Sequence, residues 1–390
     1  LYAFDNANGE EIKTPFAIMK FAIITHVPHI MEQKEYFAYS PYVREMNIWS
    51  KYADQTILVA PVSKSEKAEI DIGYEHQNIS FIPIESFDVL SLETILDAIL
   101  KIPRISWQIF SAMRQADHIH LRCPGNIGLL GCLVQILFPN KPKTAKYAGN
   151  WDPKAKQPWS YRLQKWILGN AFLTRNMQVL VYGEWEGSTK NIKPFFTATY
   201  SESDKVPIKP LDLKGKINFV FVGTLVLGKN PLYAIQLIET LYKKGYNVSL
   251  DLYGEGIERN GLEDYITLNS LKNIIKLKGN QNQDAVSNAY QNSHFVILPS
   301  KSEGWPKALA EGMFWGCVPI STSVSCVPFM LDYGERGMLL QMDLEQDVRQ
   351  LEVILKSEID FEAKRNRAAD WSRKYTLDIF DSAIKKMLTQ

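Results

Sequence analysis

What most constrains this chain is an alternation. Short runs rich in β-branched and aromatic residues recur along nearly its whole length, and each is followed by a longer stretch with helical spacing of apolar residues. Strand–helix–strand units of this kind are satisfied by parallel sheets with helices on both faces. In the first half the strand-like runs are Lys20 to Thr25, Thr56 to Ala60, Ile79 to Ile82, His118 to Leu121, Thr144 to Ala148 and Val179 to Tyr182. Ser201 to Pro210 is polar, holds two prolines and has neither period, so it reads as a linker. The alternation then restarts with Ile217 to Val222, Val248 to Leu252, Ile274 to Leu277, Phe295 to Leu298, Val318 to Ile320 and Met338 to Leu340. The expectation is an α/β protein with two doubly wound domains, residues 19–203 and 204–370. A C-terminal helix, 371–390, is expected to pack back on the first domain, with a joint near Tyr375-Thr376-Leu377.

A length of 390 residues suits two such domains. Lys plus Arg (44) nearly cancels Asp plus Glu (43), so the chain lacks the overall positive field that nucleic-acid binding needs. Cys123, Cys132, Cys317 and Cys326 have no CxxC spacing and no neighbouring histidine, and they read as reduced thiols of a cytoplasmic protein rather than metal ligands. The longest apolar run, Ile127 to Phe138, is short and broken by glycine, so no spanning segment is expected. Residues 1–18 read as an added leader, with a natural N-terminal extension as the alternative. Nothing in the sequence indicates an oligomeric state.

Ligands of open parallel sheets bind beyond the carboxyl ends of the strands. Three loops of the second half carry chemistry there. Gly223 to Asn230 offers glycines for close backbone approach, Lys229, and the positive end of a helix starting at Pro231, a combination suited to phosphate or to an ordinary βα turn. Ser300 to Lys307 runs into a helix with Pro306 expected at its first position. Glu303 precedes that helix and Glu311 lies inside it, about 12 Å further on if the spacing is wholly helical. Two carboxylates so placed can accept hydrogen bonds from hydroxyls at opposite ends of an extended ligand. The plainer alternative is a helix-end Glu favoured by the dipole and a solvated Glu beyond it. The third loop, Tyr253-Gly254-Glu255-Gly256, reads as a turn or as a backbone approach to a ligand, and so does Lys278-Gly279 after Leu277.

The order of these loops resembles the retaining glycosyltransferase family 4, of GT-B fold. The resemblance rests on Phe221-Val222-Gly223 with Lys229, then Tyr253-Gly254-Glu255-Gly256, then Glu303-Gly304-Trp305-Pro306 with Glu311. It implies two Rossmann-like domains facing across a cleft and metal-independent transfer of a hexose-type sugar from a nucleotide diphosphate sugar, UDP before GDP. The acceptor would be a glycan or lipid-linked glycan in polysaccharide or glycoconjugate synthesis, and no cofactor is needed. Matched residue by residue, Glu303 contacts the donor sugar and the Gly304 to Lys307 segment supplies amides near its hydroxyls and the diphosphate. Glu311 binds the ribose, Lys229 neutralises the diphosphate, and Gly223, Thr224, Tyr253, Gly254, Leu277 and Lys278 frame the nucleotide. One departure is Thr224, where relatives usually carry arginine. Either Lys307 replaces that charge or diphosphate binding is weaker. A nucleotide-sugar-binding protein without transfer activity is the alternative function.

In the first half, His26 and His29 follow the first strand, and the family's histidine near the reacting carbon matches the His118 to His120 segment. His118 and His120 share one strand face, so burial of at least one is the plainer reading. Arg122, expected to be exposed at its strand end, is the better candidate for a phosphate or acceptor contact. Val27 to Met31 stands where many relatives have a glycine-rich loop. Basic and aromatic residues interleave at Lys101 to Arg114 and at Trp159 to Trp166. That pattern suits peripheral membrane contact, or helices whose aromatics are core and whose charges are solvated.

Overall fold

Runs such as Phe21 to Ile24 and Phe295 to Leu298 are apolar at every position, and a strand satisfies that only when both of its faces are covered. Both runs are fully buried in the computed structural model, which describes residues 19–389 except 34, 69 and 88–91. The expected leader, 1–18, lies outside the described residues. In chain order the first body comprises β1 (Lys20–Ile24), β2 (Ile30–Glu32), β3 (Glu35–Tyr39), α1 (Ser40–Ser50), β4 (Gln55–Pro61), β5 (Asp71–Gly73), β6 (Ile79–Ile84), α2 (Leu92–Gln115), β7 (His118–Cys123), α3 (Asn126–Val134), β8 (Lys143–Tyr147), α4 (Trp159–Leu168), β9 (Met177–Tyr182) and β10 (Ile192–Phe195). Seven of these strands form a sheet in the order β10-β9-β8-β7-β1-β4-β6, parallel throughout. The helices α2, α3 and α4 cover one face of it over an apolar core that includes Ile105, Ile109, Ile127 and Ile167.

The second body comprises β11 (Ile217–Val222), α5 (Pro231–Lys243), β12 (Val248–Tyr253), α6 (Arg259–Leu268), β13 (Ile275–Gly279), α7 (Gln283–Gln291), β14 (Phe295–Leu298), α8 (Lys307–Phe314), β15 (Val318–Thr322), α9 (Val327–Met330), β16 (Met338–Leu340), α10 (Leu344–Leu355) and α11 (Glu358–Ser372). Its sheet runs β13-β12-β11-β14-β15-β16, again parallel. The chain order reverses between β11 and β14, and ligands of open sheets bind beside such a switch. As expected, α5 starts at Pro231 after Asn230 and ends before Gly245, whose φ is +94°. Pro306 differs from expectation. It is the cap of α8 with a non-helical ψ of 87°, which moves Lys307 to the first helical position.

The chain breaks after Ser372 and resumes as α12 (Leu377–Thr389). That helix lies on α1 of the first body, with Lys51 paired to Asp381 at 2.9 Å and Phe380 packed on Phe195 and Phe196. Two features were not legible in the sequence. β10 carries Lys193 and Pro194, which an edge strand tolerates and an interior one does not. β2, β3 and β5 form a separate antiparallel sheet of very short strands.

Candidate active site

The loops after β11, β12 and β13 are tied into one platform by backbone hydrogen bonds. Gly223 N donates to Tyr253 O at 2.9 Å, Leu225 N to Glu255 O at 2.9 Å, and Gly254 N to Gly279 O at 2.8 Å. The two glycines of the Tyr253 loop follow from this packing. A Cβ on Gly254 would stand 2.0 Å from the carbonyl oxygen of Gly223, and one on Gly256 2.2 Å from that of Leu225. Gly254 also has φ +134°, so no other residue fits there without moving the loop. The loop after β14 joins the platform where Lys301 N donates to Gly228 O at 2.8 Å.

That junction brings Lys229 and Glu303 together, 74 residues apart in sequence, with Lys229 Nζ donating to Glu303 Oε1 at 2.5 Å. Glu303 is buried and Lys229 is partly open, so the ammonium is the more accessible member of the pair. Glu311 sits further along α8. Its carboxylate accepts from Thr199 Oγ1 at 2.7 Å and from the Tyr290 hydroxyl at 3.4 Å, contacts that fix its orientation. Glu311 and Lys307 both face a cleft of about 1070 Å³ between the two bodies, whose walls also include Arg44, Glu45, Gln283 and Phe380. Burial lowers the Lys307 ammonium pKa against the opposing pull of Glu45 and Glu311.

Other expected donor residues have different places. Trp305 is buried against Trp371, Tyr375 and Tyr182, with ring centroids 5.6 to 5.9 Å apart, so its side chain helps join the bodies rather than lining the cleft. Leu277 and Lys278 lie within β13, not beyond it, because the strand continues to Gly279; Lys278 pairs with Asp251 at 3.3 Å. Thr224 is exposed on its loop.

The first body corrects two expectations. His118 is buried, as is His120, and both rings hydrogen-bond the hydroxyl of Thr144, at 3.1 and 2.9 Å. Phe21 packs on both rings and Trp49 on His120, and burial pushes the His118 pKa down to about 4. His118 is therefore a neutral residue of the interior, with no approach to the cleft. His29 is likewise buried, held by Val27 O and the Tyr74 hydroxyl at 2.8 Å each. His26 is exposed at the end of β1, and a Cβ on Gly125 would stand 2.9 Å from its ring.

Arg122 is not a free strand-end cation. Its Nη1 donates to Glu45 Oε1 at 2.9 Å, and Lys146 Nζ lies 3.0 Å from Glu45 Oε2. Burial alone would raise the Glu45 carboxyl, but Arg122 and then Lys146 outweigh it and hold the pKa down to about 2. Burial pushes the Lys146 ammonium down to about 8, with Glu45 pulling the other way. Glu45 and Lys146 were missed by the sequence reading. A signal existed in β8, Lys143-Thr-Ala-Lys-Tyr147, where two lysines sit in a strand buried at every position. Among the described residues no three His, Cys, Asp or Glu side chains gather to hold a metal ion.

Two parallel doubly wound sheets facing across a cleft make the GT-B architecture, and comparison with solved structures agrees. Residues 204–374 match the family described as glycosyl transferases group 1, and the protein is a glycosyltransferase. Protein CapJ of Staphylococcus aureus is 24% identical over 283 residues, 68% of this chain and 70% of CapJ. The capsular polysaccharide biosynthesis glycosyltransferase CapM of the same organism is 26% identical over 171 residues, 43% of either chain. Several curated relatives are thus matched over less than half of their own length. Among solved structures, Anabaena HepE in complex with UDP and glucose superposes with a TM-score of 0.64 at 13% identity, covering 96% of this chain and 100% of that one. Among the described residues no helix is long and apolar enough to cross a membrane.

Proposed function

We propose that the protein transfers a hexose-type sugar from UDP-sugar to a glycan or lipid-linked glycan acceptor, with retention of anomeric configuration and without a metal ion. The observation that carries this reading is the Lys229–Glu303 pair in the loop platform; Lys307 and Glu311, though not that pair, line a cleft of about 1070 Å³, ample for a nucleotide sugar. HepE, which shares the fold, is known with UDP and glucose bound, and CapM is a polysaccharide biosynthesis enzyme. In the proposed step the bond from the anomeric carbon to the diphosphate oxygen breaks on the face where the acceptor hydroxyl bonds to that carbon. The hydroxyl proton passes to the departing phosphate. Lys229 and the free amides of α8 stabilise the leaving charge, and Lys307 supplies the cation that Thr224 does not. Glu303 orients the sugar and Glu311 accepts the ribose hydroxyls.

The test is release of UDP from a panel of UDP-sugars, with and without glycan acceptors, before and after treatment with a chelator. Acceptor-dependent release that survives chelation is expected. Binding without release, or strict dependence on added magnesium or manganese, overturns the reading.

The two carboxylates are expected to fail differently. Glu311→Ala weakens UDP binding by roughly tenfold, the value of a charged hydrogen bond. Glu303→Ala leaves UDP affinity near that of the parent and lowers turnover of the sugar-bearing donor. Calorimetric titration of UDP beside turnover rates checks this, and two variants indistinguishable from the parent in both would remove the assignment.

A further inference from the structure

The chain has nine tryptophans, and three of them are strongly exposed: Trp107 at 67%, Trp159 at 58% and Trp166 at 62%. All three stand on the helix layer made by α2, α3 and α4, on the outer side of the first sheet. The sequence left open whether these aromatics are core, and the structure places them in solvent. On α2, Leu100, Arg104 and Trp107 recur at i, i+4 and i+7 and are all exposed. On α4, Trp159, Arg162 and Trp166 recur at i, i+3 and i+7, again all exposed. Side chains at these spacings share one helix face. Leu133 and Leu137 continue the patch along the α3 segment, and Phe172 at 70% exposure ends it, with the Arg175 guanidinium 4.5 Å over its ring. The helices are neighbours, α3 packing against both α2 and α4.

Charge separates this layer from the rest of the molecule. Residues 98–116, 126–142 and 154–175 together carry nine basic residues and no acidic one, in a chain whose formal net charge is +1. Glu93 and Asp97 lie on α2 ahead of residue 98; Lys101 pairs with Asp97 at 2.7 Å, and Glu85 beside the helix pairs with Lys101 at 3.3 Å and with Arg104 at 3.8 Å. Exposed apolar residues in a contiguous patch mark an interaction surface rather than an ordinary exterior. Tryptophan set among arginines is the side-chain set favoured at the boundary between anionic headgroups and acyl chains. There the indole has one apolar and one wet side and the guanidinium meets phosphate.

We propose that the outer face of α2, α3 and α4, continued by Phe172, docks on an anionic lipid bilayer, with Trp107, Trp159 and Trp166 entering the headgroup boundary and Arg104, Arg162 and Arg175 meeting lipid phosphates. A protein partner would need a matching acidic surface pressed over three separate helices, whereas a bilayer offers one sheet of negative charge to the whole layer. Trp159 is the first residue of α4, which follows the loop leaving the carboxyl end of β8. This inference does not depend on which nucleotide sugar the cleft takes.

Flotation of the full chain with vesicles tests it, using phosphatidylcholine alone and phosphatidylcholine with phosphatidylglycerol, at low and high salt. Recovery with the anionic vesicles only, reduced by salt, is expected. A triple variant Trp107→Ala, Trp159→Ala and Trp166→Ala, and a second variant Arg104→Glu, Arg162→Glu and Arg175→Glu, should each lower the partition by on the order of tenfold or more. Both change exposed residues, so their thermal unfolding should match that of the parent. No recovery with anionic vesicles, equal recovery with both vesicle types, or variants that float like the parent would overturn the proposal. So would a concentration-dependent dimer without vesicles that the tryptophan variant abolishes, since it would assign the face to a second copy of the chain.

Discussion

Glu45→Ala is expected to cost about 3 to 5 kcal/mol of folding stability, the range for removing one partner of a buried ion pair. The Glu45 carboxylate is buried and accepts from two cations, Arg122 at 2.9 Å and Lys146 at 3.0 Å, and Lys146 is fully buried. Without it two positive groups face each other with Arg44 and Lys307 nearby, and no carboxylate takes over its place between them. Lys146, already lowered to about 8 by burial, would shed its proton and leave an amine with one remaining hydrogen bond, to the Phe196 carbonyl at 3.3 Å. Urea titration of the parent, Glu45→Ala and the double variant Glu45→Ala with Lys146→Met separates the contributions. The double variant should recover a large part of the loss, because the buried amine left without its carboxylate has gone. A loss below about 1 kcal/mol for Glu45→Ala would mean that cleft water already solvates the cluster, as at an exposed pair.

The same cluster shows why the sequence disclosed some of the site and not the rest. The platform loops were legible because they follow strands at the sheet's switch point, where glycine, lysine and glutamate suit a phosphate and hydroxyls as well as ordinary turns. Lys229, Glu303 and Glu311 could be named from that pattern. Gly254 and Gly256 were visible as glycines, but their cause, the carbonyls of Gly223 and Leu225 pressing on their α-carbons, needed coordinates. In the first body the strands were legible and the roles were not. Alternation says that His118 and His120 share a face, but not whether that face meets helices or the cleft. Arg122 looked like a free strand end because its partner, Glu45, is on a helix 77 residues earlier. Such pairing is set by how α1 crosses the sheet, which no local pattern encodes. The small antiparallel sheet escaped because strands of three to five residues carry too little period to see.

The buried histidines that displaced the catalytic reading of His118 give the last expected result, a loss of stability in mild acid. Burial pushes His29 and His118 down to about 4 and His120 well below its ordinary 6.5. These groups are neutral when folded at pH 5 to 6, and the unfolded chain protonates them there. The unfolded state therefore binds more protons in this window, and stability must rise with pH across it. Their full contribution is present above about pH 6.5 and is lost as pH falls towards 4. His29 and His118 together should cost roughly 5 kcal/mol by pH 4.5, at 1.36 kcal/mol per pKa unit, a large share of the 5 to 15 kcal/mol that holds a domain. Glu45, held near 2, adds its own loss only below about pH 4.5, so the histidine phase comes first. Physically, a proton on His118 or His120 would place a charge among Phe21, Trp49 and the single Thr144 hydroxyl; at His120 burial outweighs the pull of Glu45, and Arg122 adds to the cost. Urea unfolding at intervals from pH 7 to 4.5 measures the slope. His118→Gln should reduce proton uptake on unfolding near pH 5.5 by about one. A parent whose stability is flat between pH 6.5 and 5 would show instead that these rings take up protons in the folded state.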